Sequence, residues 1–580
     1  MRRGGALSLA PVSQTTQEEP AVNRAHKVRS TIVLAVASIA VIAFVAAGSA
    51  QPSHDPSLTG VPTANLKATG YSPASRLSPE LAQVAVAQGS TQVENPEGIT
   101  TDYGYQNDLP SPDDPTVPQM LPTKDVADEA QKTEPDKNTY LVWPKGQSGP
   151  DAGYRYGTHF LYQGHELSAK DASGKAQSYI TRINLDADAQ HRVTLLATHD
   201  SSGNPLANID GSTWDPWAHR LLFTTENASA PTYAATADYP STVEDVSGAL
   251  GRGGYEGIQN DGAGNLWIVE DIGGAAKAGT KAKQPNSFVY RYVPQTPGDL
   301  HDGKLQALQV LNGNGDPITL ESQAALMAPD QVALHTHGIV FKTQWITVHD
   351  TAVDGTAPFN ANTLAKERHA TPFKRPENGM FRPDSNFREF YFDETGDTNA
   401  LSPENGDPAT GAGGAGGWGS IMKLWQPSPS ANSGWLTMFY GCNEAHSGFD
   451  NVTFLSRNQV TFVEDAGDTL HTQRNALDSG YVFDVTRNYS DASNQPLRWL
   501  AETRDPSATI DSAFAFSKNE GDNEITGVHV SNGDPSPNGI LGTHAPALFT
   551  SPSESGLVAW RWFYTQQHGD NTTYEVVAAH

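Results

Sequence analysis

From about residue 138 onward the chain consists of short apolar or aromatic runs separated by clusters of Gly, Asn, Asp and Pro. That texture restricts the body to strands and tight turns. Several runs end in polar or acidic residues: "LLFTTEN" (221–227), "LWIVED" (266–271), "QWITVHD" (344–350), "WLTMFYGCNE" (435–444) and "VTFVED" (460–465). Turn chemistry precedes two of them, "DGAGN" (261–265) and "SRN" (456–458). Their uneven spacing excludes a strict array, but one such motif per antiparallel sheet predicts an all-β fold, a β-propeller with long loop insertions. Equivalent strand ends would then meet at one mouth of the central channel, bringing together Glu226, Glu270, Asp271, His349, Asp350, Glu464 and Asp465.

Carboxylates gathered in this way raise one another's pKa unless cations join them. Calcium, which takes six to eight oxygen ligands, is the expected partner. The 65 acidic residues against 38 basic ones give a formal net charge of −27, which argues against nucleic acid as a ligand of the bulk surface. Cys442 is the single cysteine, so neither an intramolecular disulfide nor a multi-cysteine metal site can form.

Three further features bear on chemistry. In "FKRPENGMFRP" (373–383), Arg375 and Glu377 stand two apart on an extended segment, which points an arginine fork and a carboxylate the same way. That pair suits a phosphate ester, with the guanidinium on the anion and the carboxylate on a bridging metal, and it equally suits a surface ion pair. "YQGHEL" (162–167) sets His165 beside Glu166, and "HTHG" (335–338) holds two histidines, neither at a recognised metal spacing. The glycine run "GAGGAGGWG" (411–419) reads as a flexible insertion. A Gly-x-Ser-x-Gly elbow, a phosphate-binding loop and a dinucleotide fingerprint are all missing.

At the N-terminus, "KVRS" (27–30) precedes the charge-free run "TIVLAVASIAVIAFVAAG" (31–48). Residues 1–50 are expected to be a signal peptide, or a signal anchor that leaves a single membrane anchor, with everything after residue 50 exported. Residues 51–137, rich in Pro, Ser and Thr, read as a linker or wrapping arm, and 138–580 as the propeller.

Taken in order, "YGTHFLYQGHE" (156–166), "STWDPWAHRLLFTTEN" (212–227), "GGYEGIQNDGAGNLWIVED" (253–271), "SFVYRYVP" (287–294), "KRPENG" (374–379), "FDNVTF" (449–454), "VTFVED" (460–465) and "DNEITGVHVSNGD" (522–534) resemble the PhoX-type alkaline phosphatase family. The family consists of exported propeller enzymes that hydrolyse phosphomonoesters with calcium and iron. The resemblance implies six blades, where the five copies above are compatible with six or seven. It implies metal ligation or support by Glu226, Glu256, Glu377, Glu270, Asp271, Glu464 and Asp465, phosphate binding by Arg375, and a match at Asp450 and Asn451. Two departures stand out. Thr225 occupies the run in which the family's typical phosphatases carry an iron-ligating cysteine, so calcium is supported and iron is not. Arg2-Arg3 lie too far from the apolar run for a twin-arginine signal.

The expected function is an exported metal-dependent phosphatase that works as a monomer, with a small phosphate ester as substrate and Arg375 and Glu377 as catalytic residues. Two other readings stay open: a non-catalytic propeller stabilised by calcium, and a lactonase or esterase on a similar scaffold.

Overall fold

The computed structural model describes residues 55–67, 75–94, 102–106, 131–166, 169–170, 176–277, 280–325, 327–397, 414–502, 524–549, 559–567 and 571–579. The proposed signal segment lies outside them, and among the described residues no helix is long and apolar enough to cross a membrane. The fold is mostly β, with its sheets in a propeller-like arrangement.

Six hairpins carry the architecture. Each begins with a strand next to the central channel and returns as the second strand of its sheet: β1 (Pro135–Val142) and β2 (His159–His165), β3 (Ile209–Asp215) and β4 (Arg220–Thr225), β5 (Tyr255–Asn260) and β6 (Leu266–Glu270). The series continues with β7 (Gly379–Phe381) and β8 (Glu389–Glu394), β9 (Phe449–Phe454) and β10 (Gln459–Glu464), β11 (Glu524–Ser531) and β12 (Arg561–Gln567). The odd-numbered strands neighbour one another around a ring, and β11 returns to pack beside β1. The hairpins β5–β6 and β7–β8 belong to one nine-stranded sheet, whose two halves are joined through the long strand Phe341–Asp350.

Burial on both faces explains the sequence texture. In β6, Leu266 and Ile268 pack with Tyr255 and Tyr290 on one side. Trp267 and Val269 face the next group of strands, where the Trp267 ring lies 5.0 Å from Trp345 and 4.9 Å from Phe381. A strand sandwiched between neighbouring sheets reads as a continuous apolar run rather than as an alternation.

This geometry corrects two of the expected copies. "QWITVHD" lies in Phe341–Asp350 and "WLTMFYG" in Ser433–Gly441, strands that pair with each other on the outer side of the nine-stranded sheet. An apolar run with a polar end records burial followed by a turn, and an outer strand meets that description as well as an inner one. The glycine run is also not free throughout: Ala415 and Trp418 are buried, and a Cβ on Gly419 would come within 2.2 Å of the Glu394 carbonyl oxygen. Residues 398–413 lie outside the described residues.

Segments ahead of residue 138 enter the sheets. Arg76–Leu77 pairs with Leu497–Ala501, Val93–Glu94 runs parallel to Val193–Ala197, and β1 itself starts at Pro135. Leu81–Ala87 pairs with Thr572–Ala578 and supplies the outermost strand of the sheet that holds β11 and β12.

Candidate metal centre

The start of each inner strand carries an acid, and a shared backbone device aims it. β1, β3, β5 and β9 each show a register break near their first residues, between Pro135 and Asn138, Ile209 and Ser212, Tyr255 and Ile258, and Phe449 and Val452. Bulges of this kind re-aim side chains. The acids in these breaks are Asp136, Asp210, Glu256 and Asp450, and Glu377 stands just ahead of β7. Adjacent strands approach closely here. A Cβ on Gly211 would lie 1.9 Å from the Glu256 carbonyl oxygen, and Gly257 donates its N–H to the Glu377 carbonyl at 2.8 Å.

A second row comes from the even-numbered strands. The residue after the last strand position is Glu166, Glu226, Asp271 and Asp465 in four of them, and Thr395 after β8. The two rows meet. Ligand atoms lie within 4.8 Å of one another in four triads: Asp136, Asp210 and Glu256; Glu166, Asp210 and Glu226; Glu226, Glu256 and Asp271; and Glu256, Glu377 and Asp450. Of the residues singled out from the sequence, Glu226, Glu256, Asp271, Glu377, Glu166 and Asp450 are brought together in these triads.

Burial raises the carboxyl pKa of Asp210, Glu256, Glu377 and Asp450 well above the usual range, and neighbouring acids add to the rise. At the rim, Glu226 is reachable by solvent but closely ringed by protein. Lost hydration first, and the charge of Asp271 second, push its carboxyl up to about 7. Glu256 Oε2 and Asp210 Oδ1 are buried and accept no hydrogen bond. Orphaned acid oxygens converging on one space fit a hard divalent cation, and all four triads offer oxygen donors alone.

Arg375 faces the same space from a left-handed backbone, with φ 58°. Its Nε and one terminal nitrogen donate to Asp271 at 2.7–2.9 Å, and that terminal nitrogen lies 3.2 Å from Glu377 Oε1. The fork thus reaches the site already paired with two of its acids.

Other expected site residues go elsewhere, because alternate positions of a strand face opposite ways. Glu270 turns into its own sheet and accepts from the Phe288 N–H, Tyr290 Oη and Asn362 Nδ2. Glu464 accepts from the Ser447 and Ser479 N–H groups and from Arg474. His165 is buried between Thr133 and Thr181, and burial lowers its imidazole pKa to about 3. His349 stacks on Phe359, and Asp350 pairs with Lys304. The Thr225 hydroxyl donates to the Pro231 carbonyl, and Cys442 is a buried free thiol. Asn451 is buried beside Asp450 and bonds its carboxylate.

Asp136, Asp210 and Lys137 were not among the candidates. A signal for the two acids did exist: "PDKN", "IDGS", "YEGI", "PENG" and "FDNV" each set an acid before Lys, Gly or Asn at the start of an inner strand.

Residues 249–535 match the family model described as Alkaline phosphatase PhoX. No curated protein matches the chain at a significant level. Among solved structures, the chain is similar to a putative gluconolactonase, at 11% identity over 64% of this chain and 88% of that one, with a TM-score of 0.26. It is similar to Chaetomium thermophilum Sqt1 bound to the N-terminus of the ribosomal protein L10, at 12% identity over 77% and 97%, with a TM-score of 0.30. A GH43_1 enzyme from Xanthomonas citri matches at 10% identity over 63% and 90%, with a TM-score of 0.27. Likenesses of this size carry no argument about function.

Proposed function

Since residues 249–535 match the PhoX alkaline phosphatase family, which supports a phosphatase-like hydrolase, we propose that this chain is an exported metal-dependent phosphatase acting on phosphomonoesters at the channel mouth. The observation that carries the reading is the convergence of Glu226, Glu256, Asp271 and Glu377, some with orphaned oxygens, beside the Arg375 guanidinium.

Glu226, Glu256, Asp271 and Glu377 would hold calcium, with Asp210 alongside. When bound, the ion polarises a phosphoryl oxygen and acidifies a water molecule. The chain's own residues do the rest. Arg375, anchored by Asp271 and Glu377, presents the positive charge that a phosphate ester's oxygens need, and its anchoring fixes that charge before the substrate arrives. Glu377 links the arginine to the ion-binding acids, so substrate binding and ion binding share a side chain. The all-oxygen donor set favours calcium over thiolate-held iron, and Thr225, bonded to Pro231, offers no substitute for a cysteine. Export rests on the apolar run 31–48.

One observation favours the non-catalytic reading. Arg375 is already paired bidentately with Asp271, so gripping an anion requires that pair to be shared. The test uses the chain from residue 51 onward, exchanged into calcium, iron or chelator. A chromogenic phosphomonoester is assayed beside a phosphodiester and a lactone. Phosphomonoester turnover that depends on calcium is expected. Its absence under every metal condition rejects the proposed activity, and lactone turnover alone would transfer the chain to the lactonase reading.

A further inference from the structure

The acids around the mouth are not equally provided for. On one arc of the ring, formed by β1, β9 and β11, the buried Lys137 donates through Nζ to Asn451 Oδ1 at 2.8 Å. The Asn451 amide donates to both oxygens of Asp450 at 2.7 Å and to Thr526 Oγ1 at 3.1 Å, and the Thr526 hydroxyl donates to Asp136. One ammonium therefore feeds a continuous donor chain that ends on two carboxylates. On the opposite arc, Asp210 Oδ1 and Glu256 Oε2 have no donor at all. A buried lysine is costly unless acids surround it, and buried acids are costly unless a cation does, so each arc explains the other.

We propose that Lys137 is a built-in cation that takes the place of one divalent ion on the β1, β9 and β11 arc, leaving the remaining ions to the arc of Asp210, Glu226, Glu256, Asp271 and Glu377. The lysine thus sets how many ions the mouth holds. The inference rests on the metal-binding reading above and adds the division of that site into a lysine-served half and an ion-served half. A lysine at this place also stays with the half it serves when external calcium falls, because it is part of β1 itself.

The test counts ions. Wild type and Lys137→Met are purified in calcium, passed through gel filtration, and measured for calcium per chain by plasma mass spectrometry, with circular dichroism to confirm folding. Lys137→Met is expected to retain one more calcium per chain than wild type. Should that variant not fold, Lys137→Gln, which also removes the charge but keeps a polar amide beside Asn451, is counted in its place, and the same gain of one ion is expected. A folded variant with an unchanged count overturns the proposal, as does failure of both variants to fold, which would make Lys137 a scaffold residue. Wild type that holds no calcium rejects the metal site itself and the proposal with it, and that outcome is read before any variant is made.

Discussion

Glu256 and Glu464 are both buried, both lie in the propeller's hairpins, and have opposite surroundings. Glu464 accepts two backbone N–H groups and the guanidinium of the buried Arg474, which also lies 3.8 Å from Asp478. Asp478 in turn pairs with His471 at 2.8 Å. That cluster, built where the helix Gly467–Arg474 meets the sheet, brings its own cation in Arg474. Glu256 belongs to three acid triads and has an oxygen with no donor. The difference shows that burial of an acid does not identify a site. What identifies it is several acids within reach of one another together with a shortfall of donors, since single orphaned oxygens also occur on Glu270 and Asp478.

Chelation tests this contrast most severely. Removing calcium is expected to abolish phosphomonoester hydrolysis and to lower the melting temperature, because the mouth acids lose their counter-charge. In chelator the pH dependence has a definite sign. Acids whose pKa is raised in the fold stabilise it fully below the ordinary carboxyl range near 4.5, and that contribution is lost as pH rises through their folded values, which for Glu226 is about 7. Melting curves without calcium should therefore fall from pH 5 to pH 8, and added calcium should flatten the fall. Equal slopes with and without calcium would break the contrast.

Single substitutions sharpen it. Glu464→Ala strands the buried Arg474 and should cost about 3–5 kcal/mol in denaturant unfolding. Glu377→Gln should cost about 100-fold in kcat/KM while leaving unfolding in chelator unchanged or improved, since it removes one of the repelling charges. Arg375→Ala should cost about 10-fold or more in kcat/KM, with a smaller change in melting temperature. If Glu377→Gln destabilised the protein as much as Glu464→Ala, the mouth would be another self-sufficient cluster.

The smallest effect has the opposite pH sign and arises from buried histidines. Burial lowers the imidazole pKa of His165, His446 and His529 to about 3. Their contribution is present above the ordinary value of 6.5 and is lost as pH falls from there towards 3. Calcium-loaded protein should lose stability over that acidic window, and replacing His165 with Gln should shallow the loss.

The all-β class was legible because two-sided burial writes continuous apolar runs such as Leu266–Val269. The mouth was legible in part. Glu226 and Asp271 follow strand ends, and the sequence marks the end of a run. Glu-Asp in 270–271 and in 464–465 nevertheless hides a division of labour, because one residue of rotation sends the first acid into the sheet. The inner row was harder to see: Asp136 and Asp210 are aimed by bulges, and a bulge depends on the partner strand's register, which no local window records. Lys137 carried no signal, since its partner, Asn451, lies on a strand hundreds of residues away.

Leu81–Ala87 has its pairing partner in Thr572–Ala578, almost the full length of the chain later. During synthesis, Leu81–Ala87 lacks its pairing partner until residues 572–578 have left the ribosome. The ring consequently latches shut only once residues 572–578 have been made, and until then the sheet that holds β11 and β12 lacks its outermost strand.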